Sequence, residues 1–348
     1  MALNSLGTIP NHGGHLNWAE ATFPAAPQPW IDLSTGINPI SFPATAVSAA
    51  AWQALPDQGQ MDRLREAASI AFGRLGGGMV AAPGTQALIQ LLPQLVSEPK
   101  TIRVLVQKPT YNEHARCWRR AGAEVKEAED PIAGLQDAEV IVIGRPNNPD
   151  GKLHDAAMAL EAAANLAKRG GLLVVDEAFC DLMPEQSLAK AAGTPGLLIL
   201  RSFGKFYGLA GLRLGFALGH ESMTSRLSEA LGPWAVSGPA LDIGAEAYED
   251  EGWAKDMRAT LKAAAASLDQ VLNAGGLAVL GGTDLFRYVA CEQALALFRH
   301  LGQNGILVRS FPDQPGRLRF GLPPDETGLR RLETALASFR PADVAVGG

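Results

Sequence analysis

The sequence predicts an α/β protein: a large domain with a mainly parallel sheet, a smaller α+β C-terminal domain and an extended N-terminal arm. Three observations lead there. Short apolar runs alternate with helical segments between residues 102 and 218. Beyond them the alternation gives way to a long Ala-rich stretch and closely spaced short strands. The first 40 residues are rich in Gly, Pro, Asn and aromatics and carry little helical periodicity. The expected division is an arm over 1–40, a large domain over 41–225 and a small domain over 226–348, and 348 residues are enough for two domains.

Taken in order, the strand candidates of the large domain are Ile102–Val106, Val140–Ile143, Leu172–Val175, Leu197–Leu200 and Leu214–Leu218. They are continuously apolar, as strands covered on both faces of a parallel sheet must be. The clearest helix between them, His154–Arg169, ends in Gly170–Gly171, a good C-terminal cap. The small domain should hold a helix around Ala254–Leu272 and strands near Ala278–Leu280, Phe286–Ala290, Leu307–Arg309 and Leu318–Phe320.

Hydrophobic residues make up 47% of the chain and charged residues 19%, with a net charge of −6. That supports a sizeable core and excludes a generally nucleic-acid-binding surface, while leaving room for a local basic pocket. Cys117, Cys180 and Cys291 are odd in number and widely spaced, which indicates neither a metal site nor a disulfide framework. The opening MALNSLGTIPNHGG lacks the pattern of a secretory signal, and no apolar run approaches the roughly 20 residues of a membrane helix. A cytoplasmic protein without a membrane partner is expected.

Open α/β sheets bind ligands beyond the carboxyl ends of their strands. Asn148 (in GRPNNPDG), Asp176 (in LLVVDEAF), and Ser202 with Lys205 (in LILRSFGKFYGLAGLRLG) follow three successive strand candidates. A carboxylate ending an apolar strand needs a partner. Asp176 could cap a helix or form a salt bridge, or it could meet a protonated pyridine nitrogen. A lysine in a Gly-rich loop is usually solvated. Lys205 sits between two apolar strands with Arg213 eight residues on, which suits an amine of lowered pKa that attacks an aldehyde. Ser202 and Arg213 suit a phosphate ester. Gly84, Thr85 and Gln86, in APGTQ, could offer a turn and helix N-terminal amides to the same anion, or simply cap the helix. Tyr111 could stack on a heterocycle or pack. No G-x-G-x-x-G marks an early βαβ unit, which counts against a nicotinamide dehydrogenase.

These residues, in this order, resemble the fold-type-I pyridoxal-phosphate enzymes, the aspartate-aminotransferase superfamily; SFGKFYGLAGLRLGF is the most specific block, supported by NNPDG and VVDEAF. The resemblance implies a PLP-dependent transferase-like fold, pyridoxal 5'-phosphate as cofactor and a homodimer. It also implies roles. Lys205 would carry the cofactor as a Schiff base and later move protons, and Asp176 would hold the pyridine nitrogen. Asn148 would bond the phenolic oxygen and Tyr111 would stack on the ring. Gly84, Thr85, Gln86, Ser202 and Arg213 would bind the phosphate, and Arg319 the substrate carboxylate. A non-catalytic binding protein has no reason to retain the whole set.

Within that superfamily HGGHLNWA, WIDLSTGINP, GPWAVSGPA and GILVRSFPDQPGRLRFGLP look like the threonine-phosphate decarboxylases of cobalamin biosynthesis. Histidinol-phosphate aminotransferases, the alternative, usually lack the His-Gly-Gly opening and carry Tyr where this chain has Phe179. The decarboxylase resemblance implies a phosphorylated amino acid as substrate, with His12, Gly13, Gly36, Asn38 and Arg309 helping to define its pocket. Two departures stand out. Leu55 occupies the place near which many relatives have a Tyr that reaches the neighbouring subunit's cofactor phosphate. Gly204 replaces the hydroxyl residue usual before the lysine. Both are expected to remove phosphate contacts.

Overall fold

A computed structural model describes residues 9–73, 76–96 and 101–340. In chain order the elements are α1 (Leu16–Thr22), β1 (Ile31–Leu33), α2 (Ala49–Gln53), α3 (Gln58–Ala71), β2 (Gly78–Ala82), α4 (Thr85–Val96), β3 (Arg103–Gln107), α5 (Glu113–Arg120), β4 (Glu124–Ala128), β5 (Val140–Gly144), α6 (Ala156–Ala167) and β6 (Leu172–Asp176). They continue with β7 (Leu197–Ser202), α7 (Phe203–Phe206), β8 (Gly215–Gly219), α8 (Glu221–Leu231), α9 (Gly238–Glu249), α10 (Glu251–Ala274), β9 (Ala278–Thr283), β10 (Phe286–Ala290), α11 (Ala294–Gln303), β11 (Ile306–Ser310), β12 (Arg317–Gly321) and α12 (Glu326–Ser338). Among the described residues no helix is long and apolar enough to cross a membrane.

The chain divides into two compact units, Ser41–Arg258 and Met1–Ile40 with Ala259–Gly348. The division therefore falls inside α10, at 258 rather than near the 225 expected from the sequence. The reason is visible in the packing of the larger unit: α8 lies on β2 and α4, and α9 lies on α3. Those helices ended the strand–helix alternation without ending the domain.

In the larger unit the strands are ordered β2-β8-β7-β6-β5-β3-β4, a seven-stranded sheet. β7, β6, β5, β3 and β4 are parallel, and β8 is antiparallel to both β7 and β2. The central strands are dry: Val140–Ile143, Leu173, Val175 and Leu197–Leu200 are all at most 1% exposed. Each expected strand appears within a residue or two. β2 and β4 were not expected, because Gly78–Met79 opens one with a weak strand former and the edge strand Glu124–Ala128 is charged and half-exposed.

The smaller unit has a five-stranded sheet ordered β1-β11-β12-β10-β9. The segment expected to be an extended arm carries both α1 and β1, and β1 pairs in parallel with β11, Ile31 opposite Ile306.

Candidate active site

Strand register explains why residues far apart in sequence reach one edge of the larger sheet. Gly144 lies opposite Asp176 and Asp176 opposite Leu200, so β5 and β6 end level and β7 runs on to Ser202 at the same edge. Asn148 follows β5, Asp176 closes β6, and Ser202 closes β7 with Lys205 in the next turn. β8 runs back the other way, pairing Gly215 with Ser202 on one side and with Ala82 on the other. Arg213, just before Gly215, and Gly84, just after Ala82, thereby arrive at the same edge. Tyr111 follows β3, the neighbour of β5. The nine expected residues of this unit share the carboxyl edge, where such sheets bind ligands.

At one part of that edge an anion cradle forms. α4 starts at Thr85, so the first-turn amides of Thr85 and Gln86 have no intrahelical partners. Gly84 has φ +81°, a conformation that favours glycine, and the Arg213 guanidinium lies over it, Nη2 2.7 Å from where a Cβ would stand. Arg213 is itself left-handed at φ 55°, with Nη1 donating to the Ala210 carbonyl at 3.1 Å. The Ser202 hydroxyl makes no cap for α7. A guanidinium, helix N-terminal amides and a hydroxyl are the donors a phosphate dianion requires.

Asp176 is held from two sides. His114 Nε2 lies 2.8 Å from Oδ2, and the Ala178 amide donates to Oδ1 at 3.0 Å. His114 is buried and meets Tyr111 edge-on at 6.0 Å. The Tyr111 hydroxyl donates to Gln86 Oε1 at 2.9 Å. Burial, with the Glu113 and Asp176 carboxylates, pushes that phenol up to about 12, so it remains a donor at neutral pH. His114 was not expected from the sequence, since a lone histidine on a short helix gives no signal of its partner. In the turn after β5, next to Asn148, Asn147 ties the loop together. Its Oδ1 accepts from Thr110 Oγ1 at 2.6 Å, and its Nδ2 donates to the Pro109 carbonyl at 2.8 Å.

Lys205 stands on a rigid mount. Phe203, Gly204 and Phe206 of α7 are buried, and Lys205 is the more exposed member. Tyr207 stacks between Phe203 at 4.6 Å and Trp253 at 5.5 Å. A Cβ on Gly204 would lie 2.6 Å from Ala210 Cα, closer than side chains approach main chain. The missing hydroxyl is thus enforced by the turn that follows. Gly204→Ser is expected to lower stability by about 1–3 kcal/mol through overpacking, read as a fall in Tm. An unchanged Tm with tighter phosphate binding would contradict this packing.

The other expected residues lie in the smaller unit. Arg309 Nη1 donates to the Pro10 carbonyl at 3.1 Å and Nη2 to that of Asn11, so this guanidinium holds the segment that carries His12. His12, His15, Trp18, Ser34 and Arg309 line one small pocket. Gly13 lies against the Ser34 carbonyl with no room for a side chain. Asn38 is buried with Oδ1 accepting the Ile40 amide at 2.8 Å, and Gly36 is buried nearby in sequence. Arg319 is buried and donates to the Ser34 carbonyl at 2.7 Å. Burial, reinforced by Arg309 and opposed by Asp32, pushes the Arg319 guanidinium down to about 9. An anionic ligand at Arg319 would offset the unfavourable effect of burial and of Arg309 on its charge.

Comparison with known proteins bears on both groups. Residues 76–336 match the family model described as aminotransferase class I and II. The chain is 41% identical to a threonine-phosphate decarboxylase of Pseudomonas aeruginosa, over 94% of this chain and 98% of that one. It is 43% identical to one from Sinorhizobium sp., over 94% and 97%. The crystal structure of histidinol-phosphate aminotransferase from Sinorhizobium meliloti in complex with pyridoxal-5'-phosphate has the same fold, with a TM-score of 0.78 and 20% identity over 94% of each chain.

Proposed function

Because the chain belongs to the class I and II aminotransferase family, we propose that it is a pyridoxal-phosphate-dependent decarboxylase acting on L-threonine O-3-phosphate. The product is (R)-1-amino-2-propanol O-2-phosphate, a precursor in cobalamin biosynthesis. The observation that carries this reading is the 41–43% identity to two threonine-phosphate decarboxylases across nearly the whole chain. The opening His12–Gly13–Gly14 and Phe179 favour it over the aminotransferase alternative.

The residues present fit the cofactor: a cradle of Arg213 over Gly84 for a phosphate, a carboxylate held for a ring nitrogen, and a primary amine, Lys205, between Asp176 and Arg213 in sequence. When bound, pyridoxal phosphate supplies an electron-accepting ring that takes the electron pair left at the α-carbon as CO2 departs. Arg213, Ser202 and the amides of Thr85 and Gln86 bind the phosphate, with Gly84 admitting the guanidinium. Asp176, fixed by His114 and the Ala178 amide, keeps a negative charge at the pyridine nitrogen. Asn148 would donate to the phenolic oxygen and Tyr111 would stack on the ring. Lys205 Nζ holds the cofactor and returns a proton to the α-carbon. Arg319 takes the substrate carboxylate, and Arg309 with His12 the substrate phosphate, beside Gly13, Gly36 and Asn38. Arg319→Ala is expected to raise KM by about 30-fold or more, the 2 kcal/mol lower end for truncating a buried charge partner. A KM within error of wild type in a folded variant would remove Arg319 from substrate binding.

The test is direct. Protein loaded with pyridoxal phosphate receives L-threonine O-3-phosphate and no keto acid, and CO2 and aminopropanol phosphate are assayed. Equal release of both over many turnovers is expected. Amino transfer from histidinol phosphate to 2-oxoglutarate, without CO2, would place the chain among the aminotransferases.

We also propose a cytoplasmic homodimer. The three cysteines are free, in keeping with a reducing compartment. In the larger unit Trp52, Leu55 and Trp234 are 70%, 65% and 59% exposed, large apolar side chains that a second copy of the chain could cover. Sedimentation equilibrium should give twice the chain mass.

A further inference from the structure

Behind the candidate active site lies a buried charge cluster that none of the steps above uses. Arg201, the residue before Ser202, is 1% exposed, and Glu177, the residue after Asp176, is fully buried. Arg201 Nη1 donates to Glu177 Oε2 at 3.1 Å and to Ser187 Oγ at 2.9 Å, and Nη2 donates to Asp181 Oδ1. Glu177 also accepts from Ser187 Oγ at 2.6 Å and from the Leu188 amide at 2.8 Å. The guanidinium lies 4.3 Å from the centre of the Phe72 ring, and Arg258 Nε donates to the Asp181 carbonyl at 2.8 Å.

Stability is a poor reason for such a cluster. Taking a guanidinium and two carboxylates out of water is so unfavourable that apolar replacements are often neutral or stabilising. What a planar fork does well is fix geometry, since its donors hold several acceptors in one rigid arrangement. Here the acceptors belong to the chain leaving β6, and the fork belongs to β7. The Glu177 amide donates to the Leu200 carbonyl at 2.9 Å, carrying the pairing of the two strands one residue past the end of β6.

We propose that Arg201, gripped by Glu177 and Asp181, is a positioning residue that fixes Ser202 and Lys205 at the end of β7 against Asp176 at the end of β6. The proposal rests on the pyridoxal-phosphate reading. The arrangement keeps the phosphate hydroxyl, the amine and the ring-nitrogen carboxylate at a set spacing without touching the cofactor.

The test measures the Kd for pyridoxal phosphate and the absorbance maximum of the bound cofactor, alongside Tm without cofactor. The main variant combines Arg201→Leu, Glu177→Gln and Asp181→Asn, which removes the fork without leaving an unbalanced charge. It is expected to fold, to bind cofactor at least about tenfold more weakly, the lower end for losing a supporting partner, and to shift the absorbance maximum. Asp181→Asn alone keeps an oxygen for the fork and should behave like wild type. A folded triple variant with wild-type Kd and absorbance, however low its Tm, overturns the proposal. If the triple variant does not fold, Asp181→Ala against Asp181→Asn decides, because both leave Arg201 balanced by Glu177. Weaker binding in the alanine variant supports positioning, and equal binding overturns it. Wild-type protein that binds no pyridoxal phosphate removes the functional reading itself, and the proposal with it.

Discussion

Replacing Lys205 with alanine is expected to abolish the visible absorbance of the cofactor-loaded protein and to lower kcat by about 10³-fold or more. Lys205 is the single primary amine among the nine residues that the register gathers at the sheet edge. The proposed function gives it two tasks, attachment of the cofactor and proton return, and a positioned acid–base group alone contributes roughly 10²–10⁴-fold. The fold should survive, because the buried members of α7 are Phe203, Gly204 and Phe206, and the stack of Phe203, Tyr207 and Trp253 is untouched. A variant that keeps a visible band, and whose band borohydride fixes to the protein, would place the attachment on another lysine and overturn the assignment.

Asp176→Asn should lower kcat by about 10²–10³-fold, the range for deleting one preorganised electrostatic group. The substitution is nearly isosteric, so an oxygen can still meet His114 or the Ala178 amide. What disappears is the negative charge that, in the proposed function, would keep the cofactor's ring nitrogen protonated. The effect should fall on kcat more than on KM, since the lost interaction strengthens as electrons enter the ring. A variant with wild-type kcat would show that the carboxylate serves only the packing around His114.

Much of this was legible in the sequence, for a physical reason. Asp176, Ser202 and Lys205 stand out because a buried strand must be apolar and polar side chains right after it need an explanation. Other parts were hidden by pairing that no local pattern encodes. Gly84 and Arg213 meet only because β8 runs antiparallel between β2 and β7. His114 is one histidine in a helix until its distance to Asp176 is known. Arg201 did carry a signal, a charge between Leu200 and Ser202 in an apolar strand, but its partners Glu177 and Asp181 could be named only from coordinates. The domain boundary moved to 258 because α8 and α9 cover the large sheet and α3 without contributing strands.

The contact between Gly204 and Ala210 limits which mutations lie open to this chain. Since the obstructing atoms are main-chain Cα and N, exchanging the side chain at 210 gives no relief. The whole turn would have to move, and Arg213 sits at its end with a guanidinium bonded to the Ala210 carbonyl. A hydroxyl acquired at 204 therefore disturbs the arginine it would assist. If Arg213 binds the phosphate as proposed, a hydroxyl at 204 and an undisturbed Arg213 are alternatives rather than partners in that task.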